Sequence, residues 1–221
     1  MIPKVKSASD LHWAVDFINQ KRTFRRTEEQ PPRPVNILAL IESAKALANL
    51  NQICQATPML SGLIFAAEDF ALDLSLTRTP SLTEFLYARS AIATAARAHD
   101  LPSIIDLVCT SFKGDEGRRQ MEEECLGGKG LGYNGKQCIH PDQVAIAQEA
   151  FSPSKGEVVW AVRIVIANGK ADKQGRGAWT MDGKMIDVPV VRKAKVLVSK
   201  AEACGIDIKG VKEKWKSQEP E

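Results

Sequence analysis

Short apolar runs alternate with stretches of helical periodicity along the first two-thirds of the chain. Ile2 to Val5 is the first run, and behind it Leu11, Val15 and Ile18 share one helical face, with Ser7 or Ser9 placed to cap that helix. The prolines between Glu28 and Pro34 exclude regular structure there. Val35 to Ile41 reads as a buried strand ending at Glu42 and leading into an Ala- and Leu-rich helix. Leu63 to Ala66 is a second such strand, ending at Glu68-Asp69. A helix is predicted over Ser81 to Ala98 with Thr83 and Glu84 in its first turn, then a strand over Ser103 to Val108 and a charged helix from Asp115 to Cys125. Lys136 to Ile139 reads as a short strand reaching His140-Pro141, followed by a helix over Asp142 to Ala150.

Continuous apolar strands between helices imply a parallel sheet covered by helices, so the fold class is α/β. A doubly wound sheet and a barrel both satisfy the pattern. No GxGxxG or GxxxxGK[ST] follows a strand, which removes the usual nucleotide-binding fingerprints. After Phe151 to Ser154 the pattern changes. A helix over Glu157 to Ala167 leads through a Gly- and Lys-rich stretch to Asp182-Gly183, whose apolar flanks predict a tight turn. A last helix, Val190 to Ala203, precedes a polar tail expected to fray. The expected organisation is a partial barrel over 1–153, an arm over 154–204 and a polar tail over 205–221. The arm is taken as too small for a core of its own, packing on the barrel or on a neighbouring subunit.

Composition narrows the function classes. Apolar residues make up 44% and charged residues 26%, an ordinary globular balance, and the net charge is only +3. The basic clusters Lys21-Arg22 with Arg25-Arg26, and Lys209 to Lys216, read as solvated surface, so nucleic acid is not an expected partner. Five cysteines without CxxC spacing point to reduced thiols inside the cell. Cys138 and His140 would alternate onto one strand face, but two ligands do not make a zinc site. No run approaches the roughly 18 to 20 apolar residues of a membrane span, and Met1 to Val5 opens no signal peptide.

The chemistry-bearing feature is the placement of acids. Glu42, Asp69 and Asp106 each stand at or near the C-terminal end of an apolar strand, the edge at which parallel α/β architectures bind ligands and barrels do chemistry. Two carboxylates from neighbouring strands, completed by water and substrate, suit Mg2+. Each acid serves equally as an N-cap or first-turn acid of the following helix. Either Glu68 or Asp69 could point inward. Asp106, one residue inside its strand, reads as structural. His140 is a general acid or base by type, but more simply a strand-end histidine fixing a loop. Trp160 and Trp179 read as packing residues.

Several runs bear a family likeness. Leu40 to Lys45 (Leu-Ile-Glu-Ser-Ala-Lys), Phe65 to Phe70 (Phe-Ala-Ala-Glu-Asp-Phe) and Gly135 to Gln143 (Gly-Lys-Gln-Cys-Ile-His-Pro-Asp-Gln) resemble the citrate lyase beta-subunit and malyl-CoA lyase family. So do Phe151 to Ser154 and Met185 to Pro189, in the same order and spacing, with the nearest likeness among its citramalyl-CoA-cleaving members. The resemblance implies a (β/α)8 TIM-type barrel, usually a homotrimer, with Mg2+ bound by the acids matching Glu42 and Asp69. It implies that Asp187 reaches a neighbouring subunit's site and moves the proton of an acetyl-CoA enolate. The implied reaction makes or breaks a carbon–carbon bond between an acyl-CoA thioester and a 2-keto acid, with citramalyl-CoA or malyl-CoA as the compound cleaved. The implied compartment is mitochondrial, or cytoplasmic if the protein starts at Met1.

A closed barrel takes eight units over roughly 250 residues, and five are read here. Ile2 to Val5 matches the family's fourth strand, so at about 30 residues per unit roughly 90 residues of the pattern have no counterpart. The family arginine that binds the keto acid lies in that part. The expectation is therefore a shortened form of a lyase with little turnover of its own. The alternative is a non-catalytic barrel remnant serving as a binding or structural module.

Overall fold

The computed structural model describes residues 1–24 and 34–221. They form two compact units, 1–151 and 152–221. The predicted loop from Glu28 to Arg33 and the basic pair Arg25-Arg26 lie outside the described residues.

The first unit opens with α1 (Ala8–Phe24). Its start is set by Asp10, whose carboxylate turns back to accept from the backbone N–H groups of Lys6 and Ser7, both at 2.8 Å. The strands β1 (Ile37–Ile41), β2 (Leu60–Phe65), β3 (Ser103–Asp106) and β4 (Gly135–Lys136) form a sheet in that order, with every neighbouring pair parallel. Ile2 to Val5 contributes one parallel bridge, Ile2 to Ala39, where the apolar run predicts a strand. The reason is local: Pro3 has no N–H to donate, and Lys4 leaves the β region at φ 55°.

Between strands run α2 (Ala44–Ala48), α3 (Leu50–Gln55), α4 (Ala67–Leu74), a 3-10 turn (Thr83–Phe85) continuing into α5 (Leu86–Ala98), α6 (Gly114–Gly130) and α7 (Asp142–Phe151). The single helix expected after Glu42 breaks at Asn49, whose side chain donates to the Lys6 carbonyl at 2.8 Å. Helix α4 occupies residues whose pattern predicts no helix, and it absorbs Glu68 and Asp69 into its first turn. Phe65 packs edge-to-face on Phe70 and Phe85, with ring centroids 5.3 and 5.7 Å apart. At Gly62 a side chain would meet the Ser103 carbonyl oxygen at 2.4 Å and Leu38 at 2.9 Å, so glycine is what lets β1, β2 and β3 close up. Strand β4 stops at Lys136, short of the expected Ile139, so Cys138 and His140 do not alternate on a strand face.

The second unit has its own core, contrary to the expectation for a coreless arm. Helix α8 (Lys155–Lys173) starts at a capping box between Ser154 and Glu157. A hairpin of β5 (Trp179–Met181) and β6 (Lys184–Ile186) turns at Asp182 and Gly183, both at positive φ (52° and 73°), as a type I′ turn requires. Helices α9 (Val188–Ala203) and α10 (Ile208–Lys214) complete it. Fully buried alanines on α8 (Ala161, Ala167) and α9 (Ala194, Ala201) sit among Val162, Ile164, Trp179, Met181 and Ile208. The tail is ordered rather than frayed. Ile208 is buried, Thr180 and Glu221 exchange backbone hydrogen bonds at 3.0 Å, and Arg163 holds Gln218 at 2.8 Å and lies over the Trp215 ring. These apolar and aromatic anchors are sparse in a lysine-rich stretch, which is why its composition looks like a disordered end.

Candidate metal centre at the strand ends

Glu42 directly follows β1, and Asp69 lies in the first turn of the helix that follows β2. The two strands are adjacent and in register from Leu38 with Gly62 to Ile41 with Phe65, so the acids emerge from neighbouring C-terminal ends. Both line one cleft of about 190 Å³ with Lys4, Lys6, Ser43, Leu72 and Asp73.

Two polar groups of this cleft are already used by backbone. Ser43 Oγ accepts from the Ala46 N–H at 3.2 Å, capping α2, and Asp73 accepts from the Ala44 N–H at 2.8 Å. Glu42 differs. Its side chain is buried, and among the described residues its Oε1 is the one buried side-chain oxygen or nitrogen without a hydrogen-bond partner. An unpartnered buried acceptor costs about 1–3 kcal/mol, more if charged, so this oxygen fits a cation that would satisfy it. No three His, Cys, Asp or Glu side chains converge among the described residues. A two-carboxylate site of this kind suits Mg2+, which keeps several water or substrate ligands, better than Zn2+.

Glu68, the neighbour of Asp69, is taken up by Arg78 at 2.5 Å. The same guanidinium donates to the Val108 carbonyl and to Glu124, both at 3.0 Å, and Glu124 in turn accepts from Lys136 at 2.9 Å. Burial pushes the Glu124 carboxyl up, but Lys136, Arg78 and Gln120 together outweigh it and hold the group below the usual carboxylate range. The sequence pattern shows Glu122-Glu123-Glu124 only as a charged surface run. Helical spacing from Gly117 and Met121 through Glu124 to Gly128 is the signal that separates the inward acid from its neighbours.

The remaining candidates fall elsewhere. Asp106 is fully buried and bound by Arg89 through two hydrogen bonds of 3.1 and 2.6 Å, a structural pair. His140 stacks on Phe112 with centroids 4.8 Å apart, and its Nδ1 accepts from the Asp142 N–H at 3.3 Å where α7 begins. Asp187, in the second unit, is half-buried and caps α9, its Oδ1 accepting from the Val190 N–H at 3.2 Å. All five cysteines are free thiols. Among the described residues no helix is long and apolar enough to cross a membrane.

A family model described as HpcH/HpaI aldolase/citrate lyase matches residues 1–141. The chain belongs to that family. It is 33% identical over 209 residues to the mitochondrial citramalyl-CoA lyase of Homo sapiens, an alignment covering 91% of this chain and 59% of the relative. The chain thus spans about three-fifths of that relative's length. Among solved structures it resembles the CitE protein of Mycobacterium tuberculosis in complex with magnesium, acetoacetate and coenzyme A. That match has 27% identity and a TM-score of 0.62 over 76% of this chain and 62% of the other. A citrate lyase from Burkholderia xenovorans superposes with a TM-score of 0.76 at 20% identity, over 96% of this chain and 66% of the other, and shows the shared fold. The parallel sheet with its covering helices is therefore the family's α/β barrel-type fold, present here as an open run of four strands among the described residues.

Proposed function

We propose that this chain carries the metal-binding part of a Mg2+-dependent carbon–carbon lyase. Its substrate would be a 3-hydroxyacyl-CoA such as citramalyl-CoA or malyl-CoA, cleaved to acetyl-CoA and a 2-keto acid. The observation that carries this is the buried, unpartnered Oε1 of Glu42, a residue that lines the same cleft as Asp69. The human relative's name and the magnesium and coenzyme A held by the mycobacterial relative support it. Glu42 and Asp69 would hold the ion. When bound, Mg2+ supplies Lewis-acid stabilisation of negative charge on the substrate oxygen beside the breaking bond. Asp187 would deliver a proton to the departing acetyl-CoA carbon in cleavage and remove one from the methyl group in synthesis. By the family resemblance that carboxylate would reach a neighbouring subunit's site, and a homotrimer is the assembly proposed, with the human relative's mitochondrial address as the proposed compartment.

Titration calorimetry with Mg2+ tests the ligand pair. The wild-type chain should bind the ion, and Glu42→Gln and Asp69→Asn should each weaken binding at least tenfold; wild-type affinity in either variant overturns the assignment. Release of pyruvate from citramalyl-CoA, against glyoxylate from malyl-CoA, then sorts the substrates. A non-catalytic barrel remnant is the second reading, favoured by the open sheet among the described residues. Thioester binding with no keto-acid release from the chain in its natural assembly would select it.

A further inference from the structure

Glu68 and Asp69 are consecutive residues in the first turn of α4. On a helix consecutive side chains diverge by about 100°, so the two carboxylates cannot both face the Glu42 cleft. Some interaction must choose between them. Arg78 supplies it from the segment between α4 and the 3-10 turn. Its Nη1 holds Glu68, and its Nη2 reaches the carbonyl of Val108, just past β3, and the buried carboxylate of Glu124. Glu124 is itself anchored by Lys136 at the end of β4, with both side chains almost fully enclosed. The guanidinium therefore ties the first turn of α4 to the ends of the next two strands through a rigid fork of donors, which a lysine could not reproduce. Asp69 lines the metal cleft and has no side-chain hydrogen bond or ion pair of its own among the described residues.

We propose that Arg78 is a positioning residue for the metal site. By engaging Glu68 it fixes the rotation of the first turn of α4, so that Asp69 is presented to the cleft beside Glu42 and Glu68 is withheld from it. The inference rests on Glu42 and Asp69 being the metal pair. Removing an outer partner that orients a metal ligand typically weakens metal affinity about 10- to 100-fold.

The test is Mg2+ calorimetry on the full chain, with thermal melting as the control for folding. Arg78→Ala should weaken Mg2+ binding about tenfold or more, and Arg78→Lys should recover part of the loss. Glu68→Gln should weaken it by a smaller factor with an unchanged melting profile, because that side chain is half exposed. The double variant should bind no worse than Arg78→Ala alone, since both changes remove the same contact. Asp69→Asn separates the two layers of the argument. If it abolishes binding while Arg78→Ala and Glu68→Gln keep wild-type affinity, the positioning role is overturned and the metal pair stands. If Asp69→Asn itself binds normally, the metal pair falls and the positioning role with it. Should Arg78→Ala fail to fold, Glu68→Gln decides: wild-type affinity there overturns the proposal.

Discussion

Glu42 is enclosed by protein and its Oε1 has no hydrogen-bond donor, and that combination sets its expected behaviour. In metal-free protein the unpartnered buried acceptor is a liability, so Glu42→Gln should hold stability level or raise it by up to about 1 kcal/mol. Thermal unfolding in a chelator measures this. Adding Mg2+ should raise the midpoint of the wild type but not of the variant, because only a ligand that binds the folded state shifts the equilibrium. The position of this acid was legible from the apolar run before it. The choice between Glu68 and Asp69 was not, because it depends on Arg78, which approaches from ten residues away. Asp106 shows the reverse case. Its place one residue inside the predicted strand already reads as structural, and the buried partner Arg89 on α5 supplies the physical reason.

At the level of elements, two acids do their work through what they join. Glu124 links α6 to β4 by way of Lys136. Its folded-state pKa is depressed, so its contribution is present above the unfolded value of about 4.3 and is lost as pH falls through the lower folded value. Stability should therefore drop steeply below about pH 4, and the Glu124→Gln chain, destabilised by about 3–5 kcal/mol at neutral pH, should show a shallower acid limb in denaturant titrations at stepped pH. Asp187 combines a cap with the proposed proton transfer. Asp187→Ala should cost about 1 kcal/mol from the lost cap, whereas Asp187→Asn keeps a capping oxygen and should stay within about 0.5 kcal/mol. Lyase turnover in the assembled enzyme should fail in both, which separates the chemistry from the fold. The Asp182-Gly183 hairpin could be read in advance because its turn type demands those residues. The break at Asn49 could not, because its side chain finds its partner in the distant Lys6 carbonyl.

For the whole molecule, the alternation of apolar strands and helices was enough to give the parallel sheet, and the family resemblance to choose its barrel type. What composition hid was the separate core of the second unit. Its core is assembled from alanines and single large residues on five elements, a pattern that no one segment displays. Residues 152–221 produced alone should accordingly be helical and unfold cooperatively, with the low stability of a small core. Circular dichroism with urea titration checks this, and a featureless, non-cooperative response would show that the unit depends on the rest of the chain.

Gly62 carries a consequence for reading natural variation. It stands mid-strand in β2, three residues before the C-terminal end from which the acids emerge, and its nearest neighbours are Ser103 and Leu38 rather than either acid. Yet any side chain there pushes against both flanking strands, and the register it disturbs is the one that sets Glu42 against Asp69. An alanine or serine at this position should therefore weaken Mg2+ binding at the proposed site, read by the same calorimetry, although it replaces none of the ligands. The origin of the loss would be a backbone that can no longer close, in a residue with no chemistry at all.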